Sequence, residues 1–280
     1  MYIMLRSQTF FLLALLTCAF FFVEVPGHSA EQPRPLTASE IIRKAVAATE
    51  HSWQARAEYN YMKRDEDRRL DAQGHVKSAR VDVFRMIIVN GARFEQAIEH
   101  NGRPPSPDEM KKLNEQLEKL KRQSSEDKAA QFRKEQEGKE FLGEALQAFD
   151  FQLIGEELVN DRPAYILAAK PRPGYHSHSK YASIITKLDG KLWIDKQDFG
   201  WIKFDGQVTD SFSVGMFIAR VQRGARILVE QTPVAEAVWL PKRVELQAGA
   251  KLFFVKNLAV NRILTYSDYQ RADSLYSVNR

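Results

Sequence analysis

Ala79-Arg80-Val81-Asp82-Val83-Phe84-Arg85-Met86-Ile87-Ile88-Val89-Asn90-Gly91-Ala92-Arg93-Phe94 decides the fold class. In an extended chain Phe84, Met86 and Ile88 point to one side, and Val81, Val83, Ile87 and Val89 to the other. Asn90-Gly91 is the residue pair that tolerates the two positive-φ positions of a tight hairpin turn. Phe94 and Ile98 then carry a returning strand over 92–100, and Asn101-Gly102 marks a second turn. Runs of alternating character separated by such turns describe antiparallel β structure.

The pattern extends in both directions. Upstream, Trp53, Ala55, Ala57, Tyr59 and Tyr61 alternate with Gln54, Arg56, Glu58 and Asn60, which predicts a half-buried strand from about Trp53. Downstream of Phe149, strands are expected near 150–158, 163–170, 180–195, 200–209, 213–221, 225–232, 237–247, 250–257 and 260–268. Asp189-Gly190 and Gly224 sit at turns, and Pro233 closes a strand. Roughly ten to twelve antiparallel strands make a sheet too wide to stay flat. The expected fold is therefore α+β, with one strongly curved antiparallel sheet whose concave face is covered by helices.

Two segments read as helical. Ile41, Ile42, Ala45, Val46 and Thr49 recur at helical spacing behind a cap at Thr37 or Ser39. Residues 104–148 interrupt the β pattern as a helical insertion. Ser106-Pro107-Asp108-Glu109 combines a cap, a first-turn proline and a glutamate three residues on. Met110, Leu113, Leu117 and Leu120 follow, and a second helix ends in Phe141, Leu142, Ala145, Leu146 and Phe149.

The N-terminus reads as an address. Arg6 precedes a 14-residue apolar run from Phe10 to Val23, and His28-Ser29-Ala30 ends on a small residue. This is signal-peptide order, and the run is short of the roughly 20 residues that span a bilayer. Cleavage near Ala30 leaves one domain, 31–280, in the periplasm. The alternatives are an uncleaved membrane anchor, or lipidation at Cys18 in the lipobox-like Leu15-Leu16-Thr17-Cys18. Cys18 is the only cysteine, so a disulfide within one chain is impossible.

Composition excludes further classes. The 280 residues are 44% hydrophobic and 28% charged, with a net charge of +5, values of an ordinary globular protein. That mild, dispersed surplus gives no argument for nucleic acid and leaves peripheral membrane contact open. The sequence holds no nucleophile elbow, zinc-protease helix, phosphate-binding loop or dinucleotide fingerprint. Tyr175-His176-Ser177-His178 has metal-binding spacing but no evident third ligand. Asp65-Glu66-Asp67, interleaved with Lys63, Arg64, Arg68 and Arg69, reads as a hairpin tip in water. No catalytic group, metal or cofactor is expected.

What remains is apolar surplus on the strands: Trp193, Trp201, Trp239, Phe204, Phe212, Phe217, Phe253 and Phe254. Helices that roof a wide sheet without filling it leave a cavity suited to an acyl chain. Alternation nominates Ile42, Val46, Phe84, Met86, Ile88, Phe94, Ile194, Ile202 and Phe204 as its lining.

Three segments carry a family likeness. Phe151–Pro173 includes Gly155-Glu156, Asn160-Asp161-Arg162-Pro163-Ala164-Tyr165 and Lys170-Pro171-Arg172-Pro173. Gly190-Lys191-Leu192-Trp193-Ile194-Asp195 and Val238-Trp239-Leu240-Pro241-Lys242 follow. Together they resemble bacterial outer-membrane lipoprotein-sorting proteins of the LolA/LolB-like superfamily. The resemblance implies a half-barrel of about eleven strands with a helical lid. It implies carriage of lipid or lipoprotein acyl chains, or, on the same fold, an envelope sensor or protein-interaction module. The insertion departs from the short carriers, and its charged stretch 107–140 is the expected arm for an envelope partner.

Overall fold

Thr37 starts the first helix. In the computed structural model its hydroxyl accepts a hydrogen bond from the Glu40 backbone N–H at 3.3 Å, and the Glu40 carboxylate accepts from the Thr37 N–H at 2.9 Å. This reciprocal cap opens α1 (Ala38–Ala55), which a short 3₁₀ turn at Arg56–Glu58 joins to β1 (Tyr59–Leu70). The expected strand at Trp53 is thus a helix end. Ser52 continues the buried stripe of Ile41, Ile42 and Ala45 at helical spacing, and that burial overrides the period-two pattern.

The structure describes residues 34–71, 73–89, 92–122, 144, 147–176, 186–214, 219–252 and 256–272. The elements belong to the unit Leu36–Arg280. The signal segment, Cys18, the Asn90-Gly91 turn, the second helix of the insertion before residue 144, Ala145, Leu146, His178, Phe217, Phe253 and Phe254 lie outside the described residues.

After β1 come β2 (Val76–Val89), β3 (Ala92–His100), α2 (Pro107–Lys121), β4 (Phe149–Val159) and β5 (Arg162–Pro171). Then follow β6 (Leu188–Asp195), β7 (Trp201–Val208), β8 (Phe212–Val214), β9 (Ala219–Val221), β10 (Arg226–Ala235), β11 (Val238–Leu252) and β12 (Lys256–Arg271). Ten strands run in the order β3-β2-β1-β12-β11-β10-β7-β6-β5-β4, each antiparallel to its neighbour. The sheet is curved and unclosed, as the sequence led us to expect. The short β8–β9 hairpin joins it through the end of β11. Residues 213–221 are therefore two short strands rather than one.

The charged run Lys63–Arg69 does not form a tip in water. It lies in the middle of β1, paired on one side with β12 and on the other with β2. A strand interior tolerates these charges because Arg262 and Glu95 on other strands pair with Asp65 and Lys63, and Glu66 takes Arg64 and Arg68 within β1.

α1 crosses one face of the sheet. At its N-terminal end Ile41, Ile42 and Ala45 pack with Leu167 and Ile194, flanked by Phe151, Leu153, Leu192 and Trp201. At its C-terminal end Ala55 packs against Tyr59, Val238 and Leu240, and Ser52 Oγ accepts from the Trp239 backbone N–H at 3.0 Å. Eighteen residues span about 27 Å. The five strand spacings from β4 to β11 cover about 24 Å. The helix is therefore just long enough to bridge that half of the sheet.

The Trp193-Ile194-Asp195 motif has a separate structural task. Asp195 is fully buried, and its carboxylate takes both arms of Arg162 at 2.6 and 3.0 Å. It also accepts from the backbone N–H groups of Gln197 (2.8 Å) and Asp198 (3.1 Å). Asp198 in turn accepts from Trp239 Nε1 at 2.9 Å. The knot ties the β4–β5, β6–β7 and β10–β11 connections together at one end of the sheet.

Burial pushes the Asp195 carboxyl up, but Arg162 and the two backbone donors outweigh it and hold the group below its ordinary range. A carboxylate depressed in the folded state stabilises above its unfolded pKa, and that stability is lost as pH falls. Chemical denaturation should show stability dropping below about pH 4 in the wild type. Asp195→Asn should be less stable by about 3 kcal/mol at pH 7 and should lack that part of the acid dependence. Equal stability of the two proteins at pH 7 would refute the role.

α2 buries no residue and packs beside edge strand β3. Replacing Pro107–Gly143 by a short glycine-rich linker should preserve a single cooperative unfolding transition, because loop closure depends weakly on length. Loss of cooperativity in that deletion would make the insertion part of the core.

Candidate functional site

Antiparallel partners share a face, so the register defines rows that cross the whole sheet. One row runs Leu153, Leu167, Leu192, Phe204, Val229, Val244, Leu264, Asp65, Asp82, His100, one residue from each of ten strands. Leu167 and Leu192 pack under α1, so the row lies on the face that α1 crosses. It is apolar from β4 through β12 and charged from β1 onward. The adjoining row on the same face repeats the change: Ile227 and Leu246 lead into Arg262, Asp67 and Arg80.

The apolar part has two zones. Under α1 it is closed, with Leu167 and Ile194 fully buried. Beyond α1, Phe204, Val229, Val244 and Leu264 are only half-buried, and Leu246 is 36% exposed. These central-strand side chains form an open apolar strip. Four tyrosines stand on this face between the C-terminal end of α1 and the charges. Tyr61 packs on Tyr269 at 5.2 Å and on Tyr266 at 5.9 Å between ring centroids, and Tyr59 on Tyr269 at 6.4 Å. Burial pushes the Tyr269 phenol up, and its hydroxyl donates to the Pro241 carbonyl at 2.6 Å.

The charged part is a wall of internal pairs. Arg262 grips Asp65 with two hydrogen bonds of 2.9 and 2.6 Å, which raises the guanidinium pKa further against the opposing effect of burial. Asp82 is bound by His100 Nδ1 at 2.8 Å and Arg80 Nε at 2.7 Å. Lys63 reaches Glu95 at 2.5 Å and lies 4.4 Å above the Phe84 ring.

The residues nominated from sequence separate into groups. Ile42 and Ile194 belong to the close-packed cluster under α1, with Val46 against it. Phe204 lies in the open strip, its ring over Gly206. Phe84, Met86 and Ile88 share one side of β2, as alternation requires, and that side is the α1 face. They lie five strand spacings from Phe204, past the charged wall. Phe94 and Ile202 fall on the opposite face. Phe94 faces Ile87 across β2 and β3, and Ile202 packs with Trp193, Trp239 and Ala164. For Ile202 the cause is a register shift between Trp193 and Ile194, which breaks the alternation of β7.

Sequence reading missed Val229, Val244, Leu264 and the whole wall. The Val229 and Val244 positions alternate visibly. Only register, which no single strand encodes, aligns them with Phe204.

The opposite face holds a groove of about 560 Å³ lined by Lys191, Trp193, Lys203, Asp205, Gln207 and Arg226. Its rim is charged, with Lys203 4.6 Å above the Trp193 ring. An acyl chain would strip water from those charges there, so the α1 face is the better apolar site. Among the described residues, no three or more His, Cys, Asp or Glu stand where they could hold a metal ion. No helix of the described residues is long and apolar enough to cross a membrane.

Comparison with known proteins gave no matching family model and no matching curated protein. Solved structures do resemble this chain. A DUF1329 family protein from Desulfovibrio piger is 11% identical at a TM-score of 0.34, over 85% of this chain and 94% of that one. A putative outer membrane lipoprotein-sorting protein domain from Vibrio parahaemolyticus is 9% identical at 0.31, over 82% and 93%. A LolA superfamily protein from Nitrosomonas europaea is 11% identical at 0.31, over 85% and 94%.

Proposed function

We propose that this protein is an exported, non-catalytic binder or carrier of lipid or lipoprotein acyl chains, which lie along the open strip of the α1 face. The observation that supports the reading is the row geometry: half-buried Phe204, Val229, Val244 and Leu264 in the middle of a sheet, beside a helix whose contacts on the same strands fall at Trp201 and Leu240. Each CH2 moved from water onto such a surface contributes about 0.8 kcal/mol. Affinity then needs no polar group, and the wall at β1 and β2 orients the polar end. Export follows from the signal-peptide order of the first thirty residues, with the periplasm as the working compartment.

A second reading, an envelope protein-interaction module, draws on α2. None of its residues is buried, and Met110 on its apolar stripe is 37% exposed.

A fluorescent acyl probe distinguishes the two. Val244→Glu, with folding verified by circular dichroism, should weaken probe binding by about tenfold or more, because the chain would desolvate an unpaired carboxylate. Lys203→Ala in the opposite groove should leave binding unchanged. Undiminished binding in a folded Val244→Glu protein would remove the strip from the account. Failure of the wild type to bind any acyl probe would favour the protein-interaction reading.

A further inference from the structure

Arg262, Asp67 and Arg80 sit side by side on β12, β1 and β2, on the α1 face, next to exposed Leu246 of β11. The arrangement places one carboxylate between two guanidinium groups where the apolar strip ends. Asp67 Oδ1 is buried and has no hydrogen-bond partner among the described residues. A buried acceptor left in this state calls for a donor. The other carboxylates of the wall are already engaged: Asp65 by Arg262, Asp82 by His100 and Arg80, and Glu95 by Lys63.

The charge balance of the wall narrows what that donor belongs to. On this face Lys63, Arg69, Arg80, Arg93 and Arg262 set five fixed positive charges against the four negative charges of Asp65, Asp67, Asp82 and Glu95. The carboxylate of a free fatty acid could accept from the arginines but would offer Asp67 no donor. A purely cationic head would sit against Arg80 and Arg262, on either side of Asp67, with no anion to offset their charge. A head with an ammonium beside a phosphate answers both, with the ammonium donating to Asp67 and the phosphate accepting from Arg80 and Arg262.

We infer that the amphiphile held on this face has a zwitterionic phosphate–ammonium head, as in a phosphoethanolamine lipid. The inference rests on the acyl-binding reading and specifies the ligand class for the same site. It requires Asp67 to turn one oxygen toward the ligand, which a side chain between two arginines can do without moving the backbone.

Competition against the neutral apolar dye N-phenyl-1-naphthylamine tests it. Palmitoyl lysophosphatidylethanolamine, palmitoyl lysophosphatidylglycerol and palmitic acid share one chain and differ in the head. The zwitterionic lipid should displace the dye from the purified protein at a concentration about tenfold below either anion, the size of one charge-assisted hydrogen bond. In Asp67→Asn the three should converge to within about threefold while all still displace it. If Asp67→Asn does not fold, the wild-type order decides alone. Equal displacement by all three in the wild type overturns the head-group inference and leaves acyl binding standing. Absence of displacement by any of them overturns both.

Discussion

Among the described residues, one helix crosses the ten-strand open sheet, and it cannot cover the whole of that face. The nine spacings from β3 to β4 amount to about 43 Å, while α1 reaches about 27 Å. Nor does α1 cover the full length of the strands it crosses: it packs on Trp201 and Leu240, near the starts of β7 and β11. Where α1 lies, the sheet presents aliphatic side chains and closes around Leu167, Ile194 and Leu240. Where it does not, the chain has two ways to avoid a bare apolar surface, and it uses both. On part of β1, β2 and β3, around Asp65, Asp82 and Glu95, it substitutes ion pairs. Between them and α1 it leaves Phe204, Val229, Val244 and Leu264 half-buried, which is the arrangement a removable apolar ligand requires.

α1 holds its position because both ends are fastened. Aliphatic packing fixes the first turns on β5 and β6, and the Ser52 hydroxyl takes a backbone donor of β11. The Asp195–Arg162 knot holds the same end of the sheet in register. These contacts make α1 part of the core rather than a flap.

The sequence disclosed the fold more fully than the site, for a physical reason. Alternation and turn residues are local, and they were enough to place β2, β3, β5 and β7 and the cap of α1. The register shift at β6–β7, which sends Ile202 to the opposite face, leaves no local trace. The charged run at Lys63–Arg69 misled for the same reason. Asp65 and Lys63 are met by Arg262 and Glu95 on strands far away in sequence, and Glu66 pairs with Arg64 and Arg68 within β1 itself. The helix end at Trp53 was lost to a short accidental alternation that the buried stripe ending at Ser52 overrides. Motifs fared differently. Trp193-Ile194-Asp195 stands out in the sequence because one buried carboxylate must satisfy an arginine and two backbone donors, and that demand is structural.

The central claim is that an acyl chain lies along the half-buried strip on the α1 face. A palmitoyl chain carrying a terminal diazirine, photolysed in complex with the protein and mapped by peptide mass spectrometry, tests it most directly. The account predicts cross-links on β7, β10, β11 and β12 at Phe204, Val229, Val244 and Leu264. Labelling confined to Trp193, Lys203 and Arg226 in the opposite groove, or to α2, would contradict it.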